Sequence, residues 1–258
     1  MPLMNLSMTG ELAAAYKSGS QRARVVTEAW ARSQLYCANC DSSSLGETPA
    51  NNRAIDFVCP RCRAPFQLKA RHSALGETVT DGAYTAMVAA IREDRTPNLL
   101  LMRYALATWE VRDLLLIPSF MFSESAVIKR KPLAATARRA GWVGCNIDLH
   151  RIAPEAYIPI IAASSPADPA QVRARYTRLK PIREIKTAQR GWTLDVLNIV
   201  RRLGKPEFTN DDVYAHDREL EQLHPDNRNV RPKIRQQLQI LRDTGLLIHV
   251  ESGRWRLP

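Results

Sequence analysis

Four of the five cysteines in this 258-residue chain fall into two pairs, Cys37-Ala-Asn-Cys40 and Cys59-Pro-Arg-Cys62. The spacing, C-x2-C-x18-C-x2-C, lies within the range of four-thiolate zinc sites. Each pair makes a tight turn that aims two sulfurs at one point. Zinc is tetrahedral, and four thiolates close its shell without leaving a position for water, so the Zn2+ expected here is structural. A redox role fits less well, because a redox Cys-x-x-Cys comes singly at the start of a helix. Cys145, the remaining cysteine, reads as a small buried residue.

The flanks of the second pair carry more chemistry than the cysteines. Ala54-Ile55-Asp56-Phe57-Val58 is apolar and β-prone, with one acid in its middle. After Cys62, Phe66 and Leu68 alternate with Gln67 and Lys69, the period of a strand. Two strands joined through the Cys59–Cys62 turn form a β-hairpin whose register the zinc fixes. A carboxylate on one strand then meets an amide and an ammonium on the next. This constellation resembles the PD-(D/E)xK nuclease core. The resemblance implies that Asp56, Gln67 and the backbone carbonyl of Leu68 hold a catalytic Mg2+. Lys69 would orient or deprotonate the attacking water. Ile55 stands in place of the usual proline and Gln67 in place of the usual glutamate. A glutamine oxygen ligates Mg2+ without bringing charge, so weaker metal binding is expected.

Around this hairpin the chain reads as helix, hairpin, helix and two strands, the order of a mixed α/β sheet flanked by helices. An amphipathic helix near residues 18–36 has Val25, Val26, Ala29, Trp30 and Ser33 as its buried stripe and Ser18 or Ser20 as its cap. Glu28 on that helix is a candidate supporting carboxylate. Asp81 is expected to cap a second helix ending near Arg92, with Tyr84, Met87, Val88 and Ile91 on its apolar face. The runs 98–105 and 109–118 read as buried strands. Residues 128–149 are basic. Arg138, Arg139 and Trp142 suit a DNA-facing loop, with phosphates held by guanidinium groups and the indole against a base or methyl group. A solvated charged loop over a core tryptophan is the blander reading.

The formal net charge of +11 makes an acidic partner the first expectation, and nucleic acid is the commonest one. From Ala170 onward, 18 Lys/Arg face 11 Asp/Glu, so +7 of that charge lies in the last third. Residues 162–171 read as a connection. Beyond them come three amphipathic stretches: 191–204 ending at Gly204, 208–225 capped at Thr209 or Asn210, and 229–245 with Pro232 in its first turn. In the third, Ile234, Leu238 and Leu241 face inward, and Arg231, Arg235, Gln236, Gln239 and Arg242 face out. A two-stranded wing turning at Ser252-Gly253 closes the chain. Three helices and a wing make a winged helix-turn-helix. Arg231, Lys233, Arg235, Gln236 and Gln239 are its candidate DNA-reading residues. The division expected is 1–180 for the nuclease-type domain and 181–258 for the winged helix. No basic-then-apolar leader opens the chain, and no run reaches the ~20 apolar residues of a membrane helix. A cytoplasmic monomer with neither a membrane partner nor a small-molecule cofactor is expected.

Long strings then carry a resemblance to the DpnI-like methyl-directed restriction endonucleases. They are AYKSGSQRAR, the paired cysteine turns, NNRAIDF, TVTDGAY, IKRKPLAATARRAGWVGCNIDL, RGWTLDVLN and KIRQQLQILRD, spread from about residue 15 to the C-terminus. The resemblance implies a type II enzyme that cuts both strands of double-stranded DNA at GATC when adenine carries an N6-methyl group. Both domains would read the methylated site. It implies Asp56, Gln67 and Lys69 as the catalytic set and Trp142 as a methyl contact. Two rival readings are a non-catalytic zinc-ribbon and winged-helix regulator and a DNA repair nuclease.

Overall fold

The computed structural model of the chain describes residues 4–48 and 54–258. Residues 51–53 of the NNRAIDF string fall outside them. In chain order the elements are α1 (Gly19–Gln34), β1 (Gly46–Glu47), β2 (Phe57–Val58), β3 (Pro65–Arg71), β4 (Thr78–Ala83), α2 (Tyr84–Arg92), β5 (Asn98–Ala105) and β6 (Glu110–Ile117). There follow β7 (Val127–Lys129), β8 (Gly144–Asp148), β9 (Ile158–Ala162), β10 (Ser165–Pro166), α3 (Pro169–Arg183) and α4 (Thr187–Arg202). The last are β11 (Glu207–Thr209), α5 (Asn210–Tyr214), α6 (Asp217–Leu223), α7 (Val230–Asp243), β12 (Ile248–Glu251) and β13 (Arg254–Arg256). They gather into two compact units.

The first unit holds the described residues through Glu77, with Thr96–Ser119 and Ala156–Arg178. A seven-stranded sheet in the order β1-β2-β3-β5-β6-β9-β10 forms its centre, and only the β3–β5 pair is parallel. Leu99, Leu100, Leu101 and Met102 of β5 are all within 1% of full burial. That run has no alternation because the strand is covered on both faces. α1 packs against β3. Its buried arc is Val26, Thr27, Trp30 and Ala31, rotated by about one residue, or 100°, from the expected stripe. Ser33 lies exposed. Thr27 can be buried because its hydroxyl donates to the Ala23 carbonyl at 2.8 Å. Ser18 occupies the N-cap position of α1 without capping it, since its hydroxyl pairs with that of Ser20 at 2.8 Å. The segment expected as a plain connection is ordered structure. Ala163 (φ 46°) and Ser164 (φ 61°) make a two-residue turn that folds β10 back on β9. Pro166 is tolerated on that edge strand, and α3 starts at Pro169.

The second unit holds Thr78–Arg95, Phe120–Glu155 and Leu179–Pro258. A three-stranded antiparallel sheet, β4-β8-β7, packs with α2. Asp81 is not the cap of α2. It lies in β4, whose β-branched Thr78, Val79 and Thr80 pair with Asp148, Ile147 and Asn146, and the N-cap residue is Ala83. Helices α4 to α7 and the sheet β11-β13-β12 form the helix-turn-helix portion. α4 is buried nearly all round, from Trp192 to Val200. Ile234, Leu238 and Leu241 of α7 are fully buried, as their spacing predicts. The stretch 208–225 forms two helices, not one, because the chain leaves helical geometry at His216 (φ −105°, ψ 15°). Thr209 does cap the first of them, in a reciprocal capping box with Asp212. The wing gains a third strand, β11, with Phe208 opposite Trp255. Gly253 (φ 72°) makes its turn. Among the described residues, no helix is long and apolar enough to cross a membrane.

Candidate metal centre and nucleic-acid interface

The two Cys-x-x-Cys turns converge. The Sγ atoms of Cys37, Cys40, Cys59 and Cys62 all lie within 4.8 Å of one another. Cys37 Sγ is 3.6 Å from Cys62 Sγ, and Cys40 Sγ is 3.5 Å from Cys59 Sγ. Four sulfurs about 2.3 Å from a central zinc sit roughly 3.8 Å apart, so this cluster could hold a zinc ion. The same separations exclude disulfides, whose sulfurs are ~2 Å apart. Arg63 in the left-handed region (φ 60°) closes the second turn, where Cys59 N–H donates to Ala64 O and Arg63 N–H to Cys59 O. Burial pushes the Cys37 and Cys40 thiols up. Burial acts the same way on Cys59, but the N–H groups of Cys62 and Arg61 and the adjacent thiols outweigh it and bring that thiol down to about 6. Backbone donors aimed at one sulfur favour its thiolate, the form that binds metal. Among the described residues, no other group of three or more Cys, His, Asp or Glu is close enough to hold an ion.

The turn delivers Asp56 to β3. β2 pairs with β3 through Phe57↔Phe66 and Val58↔Pro65, and Asp56 precedes β2 by one residue. Asp56 N–H donates to Phe66 O at 2.9 Å, and its Oδ2 accepts the Leu68 N–H at 2.7 Å. The sequence-predicted Asp56 and Leu68 are therefore brought together, with Gln67 the adjacent residue on β3. Lys69 follows two residues along the same strand, on the Gln67 side by alternation. Gln67 is buried and Lys69 half-buried, and β3 is held on its other edge by Gln67↔Leu99 and Lys69↔Leu101 of β5. Glu28 on α1 is ion-paired with Arg24 at 2.8 Å. The hydrogen bond and charge of Glu28 raise the Arg24 pKa, and the charge of Asp56 adds to them. Arg24 was not singled out in the sequence, although its i,i+4 spacing from Glu28 was legible.

The basic loop of the second unit is a pinched extension of the β7–β8 hairpin. Leu133 N–H donates to Trp142 O and Gly141 N–H to Leu133 O, both at 3.0 Å. Arg138 and Arg139 are exposed, and the Arg139 guanidinium stacks 4.8 Å over the half-buried Trp142 ring. A Cβ on Gly144 would come within 2.8 Å of that ring, so glycine is what lets the indole lie on the strand backbone. On α7, Arg231, Arg235, Gln236 and Gln239 are exposed and Lys233 is half-buried. Arg231 pairs with Asp217 at 3.0 Å and lies over the Tyr214 ring. Arg235 donates to the Tyr214 hydroxyl at 2.9 Å and Lys233 to Gln236 Oε1 at 2.9 Å. These contacts hold the long side chains against neighbouring groups, and Asp217 is an internal competitor for Arg231.

Two polar groups inside this unit carry no sequence signal. Gln237 is fully buried on α7 and accepts the Thr193 hydroxyl at 2.7 Å, which registers α7 on α4. Asp195 on α4 accepts from the hydroxyls of Ser123 and Ser125 and pairs with His224 Nε2 at 2.9 Å. The His224 ring stacks on Trp192 at 3.9 Å.

Two family models match this chain. One, DpnI, described as the Dam-replacing family, covers residues 4–185, and the other, described as the Dam-replacing helix-turn-helix domain, covers residues 188–257. Together they take in the four-cysteine centre, the Asp56 strands, the basic loop and α7. The chain belongs to the DpnI family of Dam-replacing proteins and carries that family's C-terminal helix-turn-helix domain.

Proposed function

We propose that the chain is an Mg2+-dependent endonuclease of the PD-(D/E)xK type that cuts double-stranded DNA at GATC containing N6-methyladenine. Residues 1–180 would supply the cut, and residues 181–258, with the Trp142 loop, would read the site. The observation that carries this is the Asp56 carboxylate bonded to the Leu68 N–H, one residue from Gln67 and from Lys69, behind a four-cysteine turn. The donor set suits a hard cation: a carboxylate, the Gln67 amide oxygen and the Leu68 carbonyl are all oxygens. When bound, Mg2+ would supply charge stabilisation at the scissile phosphate and acidify a water. Asp56 supplies the negative charge and holds its geometry through Leu68. Gln67 supplies an oxygen without charge. Lys69 orients the attacking water through its ammonium or, as the neutral amine, takes up the water's proton at Nζ. Arg139 and the α7 arginines meet phosphates or guanine edges, and Trp142 offers an apolar face to the methyl group. One methyl group in an apolar pocket yields only about 1–3 kcal/mol, so reading it at more than one place multiplies the discrimination.

The test is cleavage of plasmid DNA from adenine-methylating and non-methylating hosts, with Mg2+ and with Mn2+. Cutting confined to methylated GATC supports the reading. Cutting of neither plasmid, with retained duplex binding, supports a non-catalytic regulator. Cutting that follows mismatches or lesions supports a repair nuclease.

A further inference from the structure

Arg173 lies on α3, more than 130 residues from the first cysteine pair, yet its guanidinium makes three hydrogen bonds to that turn. Nε donates to Cys37 O at 3.0 Å and to Cys40 O at 2.8 Å, and Nη2 donates to Ser42 O at 3.0 Å. The same group lies 5.2 Å from the Tyr36 ring centroid, over its face. Tyr36 is buried. One side chain therefore gathers the carbonyls of two of the four cysteines and of the residue that closes their turn.

The chemistry of the cluster says why a cation is needed there. Four thiolates around Zn2+ leave two net negative charges in a buried turn. Neutral donors, such as Asn39 Nδ2 at 3.4 Å from Cys62 Sγ and the Cys62 N–H at 3.5 Å from Cys59 Sγ, stabilise individual sulfurs without offsetting that charge. A guanidinium is permanently charged, and its rigid fork can bridge several carbonyls at once, which a lysine cannot reproduce. Outer-sphere groups of this kind orient the ligating residues and tune the metal.

We propose that Arg173 is the positioning residue of the zinc centre. It offsets the charge of the zinc–thiolate cluster and locks the 37–42 turn, so that zinc release is slow. The inference rests on the zinc reading of the four cysteines, and its test separates the two. Zinc content of the purified full-length chain is measured by mass spectrometry. Zinc transfer to excess chromophoric chelator is then timed for the wild type, Arg173→Met and Arg173→Lys, with circular dichroism confirming that each is folded. The expected result is one zinc per chain and release at least ten-fold faster in Arg173→Met, the scale of lost outer-sphere partners, with Arg173→Lys between the two. Zinc-loaded wild type and Arg173→Met releasing metal at equal rates would overturn the role of Arg173 and leave the zinc reading standing. If Arg173→Met does not fold, Arg173→Lys decides: release at the wild-type rate overturns the proposal. A wild-type chain that takes up no zinc overturns both.

Discussion

Gln67 is the residue at which this chain departs most from the chemistry its neighbours imply. It stands next to Leu68, whose N–H bonds the Asp56 carboxylate, on a hairpin closed by a four-cysteine turn, where a second carboxylate would double the charge facing a divalent ion. If Gln67 ligates Mg2+, Gln67→Glu should cut methylated plasmid at least as fast as wild type and reach half-maximal rate at a lower Mg2+ concentration. An inactive, folded Gln67→Glu protein would remove Gln67 from the metal. Asp56→Asn, in contrast, is expected to lose cutting by a hundred-fold or more, roughly the size of a lost charge-stabilising group, while still binding duplex. Asp212 allows a pH test. Hydrogen bonds from Lys205 and from the Thr209 backbone and hydroxyl hold its carboxyl down at about 2, against an ordinary 3.8. A folded-state value below the unfolded one contributes stability above 3.8 that is lost as pH falls towards 2. Asp212→Ala should lower stability at neutral pH by about 1 kcal/mol, as lost capping interactions do, and the gap to wild type should close near pH 2. Parallel urea titrations at the two pH values would check it, and an unchanged gap would count against the capping box.

At the scale of elements, periodicity was a good guide where one face of a helix or strand decides burial. It placed α7, β5 and β6, and it turned the wing at Gly253. It failed where a polar residue satisfies itself. Thr27 buries a hydroxyl by bonding its own helix, and Asp81, a plausible cap in the sequence, continues a β-branched strand. Such local competitions between side chain and backbone differ by little energy, and packing settles them. α4 shows the limit most plainly. Its apolar pattern suggests one buried face, yet Asp195 in its middle is 5% exposed and bonded to Ser123, Ser125 and His224. Removing that acceptor leaves the buried Ser123 hydroxyl and the half-buried Ser125 and His224 donors without it, so Asp195→Ala should destabilise the fold by on the order of 1–3 kcal/mol. Asp195→Asn, which keeps an acceptor, should cost less. A thermal shift under one degree for the alanine variant would mean the cluster contributes nothing.

For the whole molecule, the four-cysteine centre and Asp56 belong to the first unit, and the Trp142 loop and the helix-turn-helix to the second. If zinc fills the four-cysteine site, stripping it with a strong chelator and then restoring excess Mg2+ should still leave cutting lost, because β2 and Asp56 are fixed by that turn. Methylated-duplex binding, measured by fluorescence anisotropy on the same full chain, should persist. Loss of binding in step with zinc would contradict this assignment.

Residue order alone carries what is local: the two cysteine pairs with their fixed spacing, the strand alternation of Gln67 and Lys69, the heptad-like stripe of α7, and the charge that calls for a polyanion. The strings that resemble one family reach as far, because members of a family share a fold, and the family models cover residues 4–185 and 188–257. Which distant segments meet is a property of the folded chain. Residues 78–95 and 120–155 join the C-terminal part in one unit, and Arg173 reaches the carbonyls of Cys37 and Cys40. No spacing rule links residues so far apart, because their approach follows from sheet order and packing. Those are set by the free energy of burying the whole chain, not by any short stretch of it.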